Sequence, residues 1–494
     1  MSVVKQKLKA LSENTNLMFF ISIVCMFLTS TIMGLGDWDF VWQSHLGKAV
    51  VERGDFFGLK DLIWGTVNVN PYYDHEWLTN VFFYLVTVLF GEVYSIIVVK
   101  VFIELLLGVT VYFFVKQVIK TYVHISFITY VSCMFLTYCF GALLVKPKAY
   151  DISLALVMWL LILLEKRKEN TISFKCFAIC ILILTVFWNN IHSGSIVLLV
   201  AITGLYWLVF WRDKNTVILG IVDLLALGLN PYGYKLIYFD IIHNSDVVMK
   251  TIIRDWHCLD LKMAAGKAIC LLILLILIHL LHMKIDRNNI VFVVLFLVFL
   301  VMTISSMRHF LYMYPIGLVI ICKGQFENFK KLNIKTFGIP TYFISIFTVV
   351  LLILFGVNFK NVQPEYTMSY ITPKLDTILS RTTKITNDGL FTGDVNVWSS
   401  GYKSFQSGAF PHTRERTIDS YILLTGSEKQ IQDIIKFYSL DKFLFFKTEK
   451  SDTGYTLNTN LYDYMISRPN EYVLLYDDDV LVYFVSKEVE NATK

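Results

Sequence analysis

Charge is the scarcest commodity in this chain of 494 residues: Asp, Glu, Lys and Arg supply 17%, against about 25% in ordinary soluble domains. The net excess is small too, 44 basic minus 39 acidic side chains, or +5. The apolar, charge-poor composition excludes disordered, fibrous and nucleic-acid-binding proteins. No Walker loop, no GxGxxG, no heptad seam, no tandem repeat and no low-complexity segment occurs. The eight cysteines form no disulfide framework. Seven lie in or beside apolar runs, and Cys258 stands alone in a polar loop. Cys176 and Cys180, four apart on one helix face, read as packing residues.

Apolar side chains are abundant instead, at 55% of the chain with a mean hydropathy of +0.57. Charge is also unevenly spread. Residues 1–358 hold 29 basic and 21 acidic groups, whereas the 136 residues from 359 onward hold 15 and 18. Lipid is therefore the expected solvent of the first part and water that of the second. A helix needs roughly 17–25 apolar residues to cross about 30 Å of hydrocarbon. About eleven runs qualify, near residues 17–35, 93–115, 123–142, 149–165, 173–190, 194–211, 215–230, 265–283, 288–306, 309–323 and 338–358. The first reads as an uncleaved anchor.

Basic residues flanking crossings mark the cytoplasmic side. Lys116 and Lys120, Lys166 to Lys168, Arg212 and Lys214, Lys284 and Arg287, and Lys323 with Lys330, Lys331 and Lys335 form one consistent set if residues 77–91 do not cross. That stretch, WLTNVFFYLVTVLFG, is then an interfacial or re-entrant helix on the outer face. The N-terminus falls inside and the C-terminal domain outside. The expected architecture is an all-α, multi-pass cell-membrane domain over 1–358, with a long first external loop over 36–92. A small extracytoplasmic α/β domain over 359–494 follows, marked by KFLFFK and VLVYFVSK as strands and QIQDIIKFY as a helix.

On this map the unusual polar residues collect at the outer ends of different spans. They are Asp37 and Asp39 in GDWD, Asp74, His75 and Glu76 in DHEWL, and Lys146 and Lys148 in VKPK. Asn189, Asn190 and His192 in NNIHSG, Asn230 and Tyr232 in LNPYG, and Arg308 and His309 in MRHF complete the set. Ionisable groups at membrane depth are costly and tend to mark a substrate path. Each has a plainer reading. The cations snorkel, Asn-Pro-Tyr-Gly stops a helix, His192 caps one, and the aspartates begin a solvated loop.

An outer-leaflet enzyme lacks nucleotide-activated substrates and must take an activated group carried on lipid. A polyprenyl-phosphate sugar meets that need. Asp37 or Asp39 would accept the acceptor's proton, while Lys146, Lys148 and Arg308 would stabilise the departing phosphate. The acidic pair after the first span resembles the C-type glycosyltransferase fold of protein mannosyltransferases and oligosaccharyltransferases. More closely, GDWD with His45 and Gly47, then YDHEWL, VKPK, NNIHSG, LNPYG and MRHF, resembles a group of largely uncharacterised bacterial membrane glycosyltransferases. Gln43 stands where that group has histidine, Lys146 where arginine is usual, and Ser193 in place of a glycine. The resemblance implies Asp37 or Asp39 as catalytic base or metal ligand, Lys146 and Arg308 as donor-phosphate contacts, and His75, Glu76 and His192 as pocket lining. A magnesium or manganese ion is compatible with it but not required by it.

The expected partners are the lipid donor, the surrounding membrane lipid and a glycan, lipid-linked or protein acceptor. The rival readings are a flippase or transporter for a lipid-linked glycan, a polysaccharide polymerase or ligase, and an envelope scaffold. Metal ligation by His279 and His282, or by the RDWHC stretch from Arg254 to Cys258, is a weaker expectation. Asn491 matches a glycosylation acceptor at the end of the chain. Trp398 and Tyr402 read as core aromatics of the C-terminal domain or as sugar-stacking residues.

Overall fold

The computed structural model describes residues 15–30, 39–57, 64, 73–119, 126–245, 256–324, 373–379, 384–387, 403–405, 414–446, 460–478 and 481–493. They are mostly helical, with one small sheet. The chain divides into two compact units, Met1–Asp37 with Leu89–Val362, and Trp38–Val88 with Gln363–Lys494.

Helices dominate the first unit because its apolar runs are long and their backbones satisfy themselves. Ten of the eleven expected runs coincide with helices, and the run at 338–358 lies outside the described residues. Among the described residues two helical stretches, Tyr94–Val118 and Phe174–Ser195, are long and apolar enough to cross a membrane. Ile128–Leu144, Val197–Trp211, Ala264–Leu280 and Ile290–Ser305 are apolar but shorter, so helix length alone does not carry a count of eleven crossings. Trp77–Gly91 is separated from Tyr94–Val118 by Gly91, which has φ 76° and ψ 161°. At 1.5 Å per residue it is about 22 Å long, short of a hydrocarbon core.

Several helices of this unit are inverted relative to those of soluble proteins. In Lys214–Ala226, Val217, Ile218, Ile221, Val222, Leu224 and Leu225 are exposed, while Thr216 and Asp223 are buried. Inside, Thr185 donates to the Asp223 carboxylate at 3.2 Å. Further polar pairs lie within the bundle: Thr137 Oγ1 is 3.0 Å from the Tyr314 hydroxyl, and Tyr314 stacks on Phe140 with centroids 4.2 Å apart. Lys100 and Glu104, both fully buried, face each other at 3.8 Å one turn apart. Lys100 Nζ also donates to the Val145 carbonyl at 2.6 Å, fixing the end of helix Phe127–Leu144 where the VKPK turn begins.

In the second unit, helix Asp39–Arg53 lies against helix Trp77–Gly91. Phe40 meets Phe83 at 5.0 Å, and Ser44 donates to Thr87 at 3.1 Å. Gly47 makes the crossing close, since a Cβ there would sit 1.9 Å from the Asn80 carbonyl oxygen. The sheet contains β1 (Lys384–Asn387), β2 (Lys403–Ser404), β3 (Lys442–Phe446), β4 (Tyr472–Asp477) and β5 (Leu481–Ser486) in the order β2-β1-β3-β5-β4. Strands β1–β2 and β1–β3 are parallel, and β3–β5 and β4–β5 antiparallel. Helices Arg414–Thr425, Glu428–Tyr438 and Asn460–Ile466 complete the α/β arrangement. The segments KFLFFK, QIQDIIKFY and VLVYFVSK take the strand, helix and strand expected of them. Trp398 and Tyr402 lie outside the described residues.

Trp64, more than 300 residues from this sheet in sequence, belongs to its core. Its backbone N–H donates to Ser404 at 3.0 Å, covering the edge strand β2, and its indole donates to the Ile385 carbonyl at 3.0 Å. Arg416 is completely buried against it. Arg416 Nη2 donates to the carbonyls of both Trp64, at 2.9 Å, and Phe405, at 2.8 Å, and the guanidinium lies 4.4 Å from the Phe405 ring.

Candidate functional site

In the first unit a cavity of about 260 Å³ is lined on its polar side by His192, Ser195, Arg308, His309 and Tyr312. Two separate stretches supply these groups. His192 ends helix Phe174–His192, Ser195 closes the 3-10 turn that follows, and Arg308 lies in a second 3-10 turn leading into helix Phe310–Lys323. Trp256 comes from a third stretch, and its ring lies 4.4 Å from the Arg308 guanidinium. A guanidinium stacked on an indole keeps its N–H edge available for hydrogen bonds. Among the described residues no carboxylate pairs with Arg308.

A buried hydrogen-bond chain fixes the imidazole. Trp188 Nε1 donates to Ser153 Oγ at 3.0 Å, and Ser153 Oγ is 2.9 Å from His192 Nδ1. Ser195 Oγ is 2.8 Å from the same nitrogen and 2.5 Å from the Tyr312 hydroxyl. Of the other expected site residues in this unit, Lys148 lies 5.7 Å over the ring of Tyr150, a residue of the cavity wall. His309 Nδ1 is 3.2 Å from the Met302 carbonyl.

Lys146, Asn190, Asn230 and Tyr232 do not line the cavity. The Lys146 backbone N–H donates to Asp151 at 3.1 Å. The Asn190 amide donates to the carbonyls of Val186 and Leu229, at 2.7 and 3.0 Å. Asn189 donates to the Leu227 carbonyl at 2.9 Å. Asn230 closes its own turn, accepting from the Tyr232 N–H at 2.8 Å and donating to Leu227 and Gly233 at 2.8 and 3.1 Å. Ser193 donates to the buried Asp240 carboxylate.

Of the expected acidic residues, Asp39, Asp74 and Glu76 belong to the second unit. Asp37 lies outside the described residues. Asp39 opens its helix, and its Oδ1 accepts from the Trp42 indole at 3.1 Å. Magnesium and manganese take several oxygen ligands, and Asp39 alone does not make such a cage, so no step is assigned to a metal. Asp74 caps the helix that begins at Trp77. Its Oδ1 accepts from the Glu76 N–H at 3.0 Å and its Oδ2 from the Asn80 amide at 2.7 Å. Glu76 accepts from Gln43 and lies 3.5 Å from His75 Nε2. The DHEWL stretch is thus a helix N-terminus as well as a candidate site.

Burial pushes the Asp74 carboxyl up to about 6, against the hydrogen bonds that favour its charge. Burial, and then the nearby Lys48 charge, pushes His45 down to about 4. The two act oppositely on stability. Asp74 keeps a proton that the unfolded chain releases, so its contribution is full below pH 3.8 and lost as pH rises through 6. His45 stays neutral where the unfolded ring is charged, so its contribution is full above pH 6.5 and lost as pH falls through 4.

Thermal unfolding of the parent should therefore vary little between pH 4 and 6 on account of these two. Asp74→Asn should uncover the histidine slope, with stability rising by on the order of 2 kcal/mol from pH 4 to 6.5. His45→Gln should uncover the opposite slope. Asp74→Asn should also fold, because Asn80 Oδ1, which has no partner among the described residues, can accept from the new amide. Superimposable pH profiles for parent and variants would refute the assignment.

Some weaker expectations resolve locally. His279 spends both ring nitrogens within the helices, at 2.9 Å from the Gly324 carbonyl and 3.1 Å from Ser132 Oγ. Arg254 lies outside the described residues, while Trp256 of the same stretch lines the cavity. None of the eight cysteines is in a disulfide. Sequence reasoning did not select Ser153, Trp188, Ser195 or Tyr312 for the site, nor Lys100. A usable signal for two of them was spacing, since Ser195 follows His192 by three residues and Tyr312 follows Arg308 by four. No family model and no curated protein sequence matches the chain.

Proposed function

We propose that the chain is a multi-pass membrane glycosyltransferase of C-type architecture, moving a sugar from a polyprenyl-phosphate donor to an extracytoplasmic glycan, lipid-linked glycan or protein. The observation that carries this reading is the cavity around Arg308, a cation without a carboxylate partner among the described residues, set in a unit with apolar side chains outward. A water-exposed surface of that kind is unstable, whereas lipid accepts it. In the reaction the acceptor hydroxyl oxygen bonds to the anomeric carbon and its proton passes to Asp37 or Asp39. The bond from that carbon to the phosphate oxygen breaks, and its electron pair stays on the phosphate. The leaving group gains one negative charge, which Arg308 binds through paired N–H groups.

Sidedness has support as well. The Trp64 indole donates to the Ile385 carbonyl, which supports putting both on one side of the membrane with an even number of crossings between them. The sequence map places ten there if residues 77–91 do not cross, and the break at Gly91 favours that reading. An N-terminus in the cytoplasm and a C-terminal domain outside then follow from the basic loops.

The direct test supplies purified membranes containing the chain with a labelled polyprenyl-phosphate sugar. The expected outcome is label on an acceptor, abolished by Asp37→Asn or Asp39→Asn in a protein that still folds and inserts. Transfer retained by both variants would remove the base from the scheme. Label that crosses the bilayer without being transferred would mark a flippase, and movement of a preassembled glycan a polymerase or ligase.

A further inference from the structure

A second group of cations gathers at the π-helical turn Trp207–Trp211, whose residues do not line the cavity. Two other stretches of the first unit bring them there. Arg167 and Lys168 end helix Ala149–Lys168, and Arg287 lies in the turn before helix Ile290–Ser305. The Phe210 ring has Lys168 Nζ 5.0 Å and the Arg287 guanidinium 6.0 Å from its centroid, and the Arg167 guanidinium lies 6.0 Å from the Trp211 ring. Both rings pack on Tyr206, with centroids 5.5 and 6.1 Å away.

Little local acid answers these charges. Lys168 is paired with Glu165 at 2.5 Å, but neither arginine meets a carboxylate among the described residues. The acids of the adjoining turns are committed to backbone: Asp213 accepts from the Thr216 N–H at 2.8 Å, and Asp286 from those of Asn288 and Asn289 at 2.9 and 3.0 Å. Donor capacity is left over. Arg287 gives Nε and Nη2 to the Val209 carbonyl, at 3.3 and 2.9 Å, which leaves Nη1, and the buried Arg167 Nε has no partner among the described residues. Leu208 of the same turn and Ile285, two residues before Arg287, are exposed. Cations, aromatic rings and outward apolar side chains at helix ends suit a contact with the lipid headgroup layer.

We propose that Arg167 and Arg287 form a headgroup site for an anionic phospholipid, with Lys168 adding charge at Phe210 and the acyl chains lying on Leu208 and Ile285. Charge selects the occupant. A zwitterionic headgroup carries its own cation into the cluster, whereas a headgroup with one net negative charge does not. The inference rests on the first unit lying in lipid, and it is independent of sugar transfer.

The test reconstitutes the purified full-length chain into bilayer discs of phosphatidylcholine with a minority of phosphatidylglycerol, and identifies the lipids it retains by native mass spectrometry. Phosphatidylglycerol should be retained in preference. A cation near the membrane surface contributes about a 5-fold preference for an anionic lipid, so Arg167→Gln and Arg287→Gln should each lower retention by that factor. Lys116→Gln, which removes an exposed charge on another stretch, should leave it unchanged. Thermal midpoints in pure phosphatidylcholine discs report folding. Should Arg287→Gln fail to fold for want of its bond to Val209, Arg167→Gln keeps the test decisive, since that side chain holds no backbone carbonyl among the described residues. Equal retention of the two lipids by the parent would overturn the proposal. A loss in Lys116→Gln as large as in the arginine variants would do the same, because it marks general surface charge. Displacement of the lipid by soluble glycerol phosphate would mark a soluble-anion site and overturn the lipid assignment. Retention of phosphatidylglycerol by a chain that transfers no sugar would support this inference and remove only the proposed activity.

Discussion

Arg308→Ala is expected to lower sugar transfer about a hundredfold or more, the scale seen when a group stabilising developing negative charge is removed from a dry site. Folding should survive it. Arg308 is half-buried, its described contact is the face of Trp256, and no carboxylate among the described residues is left unpaired by its loss. Arg308→Lys should fall between parent and alanine, because an ammonium keeps the charge but loses the planar fork and the fit against the indole. The measurement is initial rate against donor concentration, with the thermal midpoint taken on the same preparations. Transfer close to that of the parent would mean that Arg308 merely reaches for headgroups.

The second large effect concerns the second unit. Arg416→Ala should destabilise it by on the order of 3–5 kcal/mol, since the carbonyls of Trp64 and Phe405 would lose a charged donor in a buried place. Burial lowers the Arg416 pKa to about 10, which leaves the side chain charged at neutral pH. Arg416→Lys should recover little, because one Nη2 bridges two carbonyls while the same plane stacks near Phe405 and Tyr438. Limited proteolysis near residue 64 should accelerate in step with the loss of stability. Unchanged protection there would show that the loop is held by other contacts.

Much of the local structure was legible because it follows from periodicity. The apolar runs that fall on described residues became helices, and KFLFFK and VLVYFVSK became neighbouring antiparallel strands. Gly91 ended the helix after WLTNVFFYLVTVLFG, as a glycine at positive φ can. Long-range partners were not legible. Nothing near Trp64 announces a sheet edge more than 300 residues away, since one indole and two hydrogen bonds leave no periodic trace.

Lys100 and Glu104 were also hidden, because two opposite charges one turn apart cancel within an otherwise apolar window. The site was legible in part. His192 and the adjacent pair Arg308 and His309 come from two separate motifs and share a cavity, whereas Asn230 and Asp74 carry bonds that shape a turn and a helix start. A motif residue and a turn residue look alike in sequence when the turn is part of the motif.

The discontinuous build of the second unit sets a timetable for biosynthesis. Trp64 leaves the ribosome 321 residues before Ile385 and 352 before Arg416. At about 5–20 residues per second, its docking partner arrives on the order of 20–70 s later. During that interval Trp64 lacks the Ile385 carbonyl and the Arg416 guanidinium that it meets in the folded unit. The second unit can therefore close only after its later segment has been made, and a product truncated before Ile385 lacks the partners of Trp64.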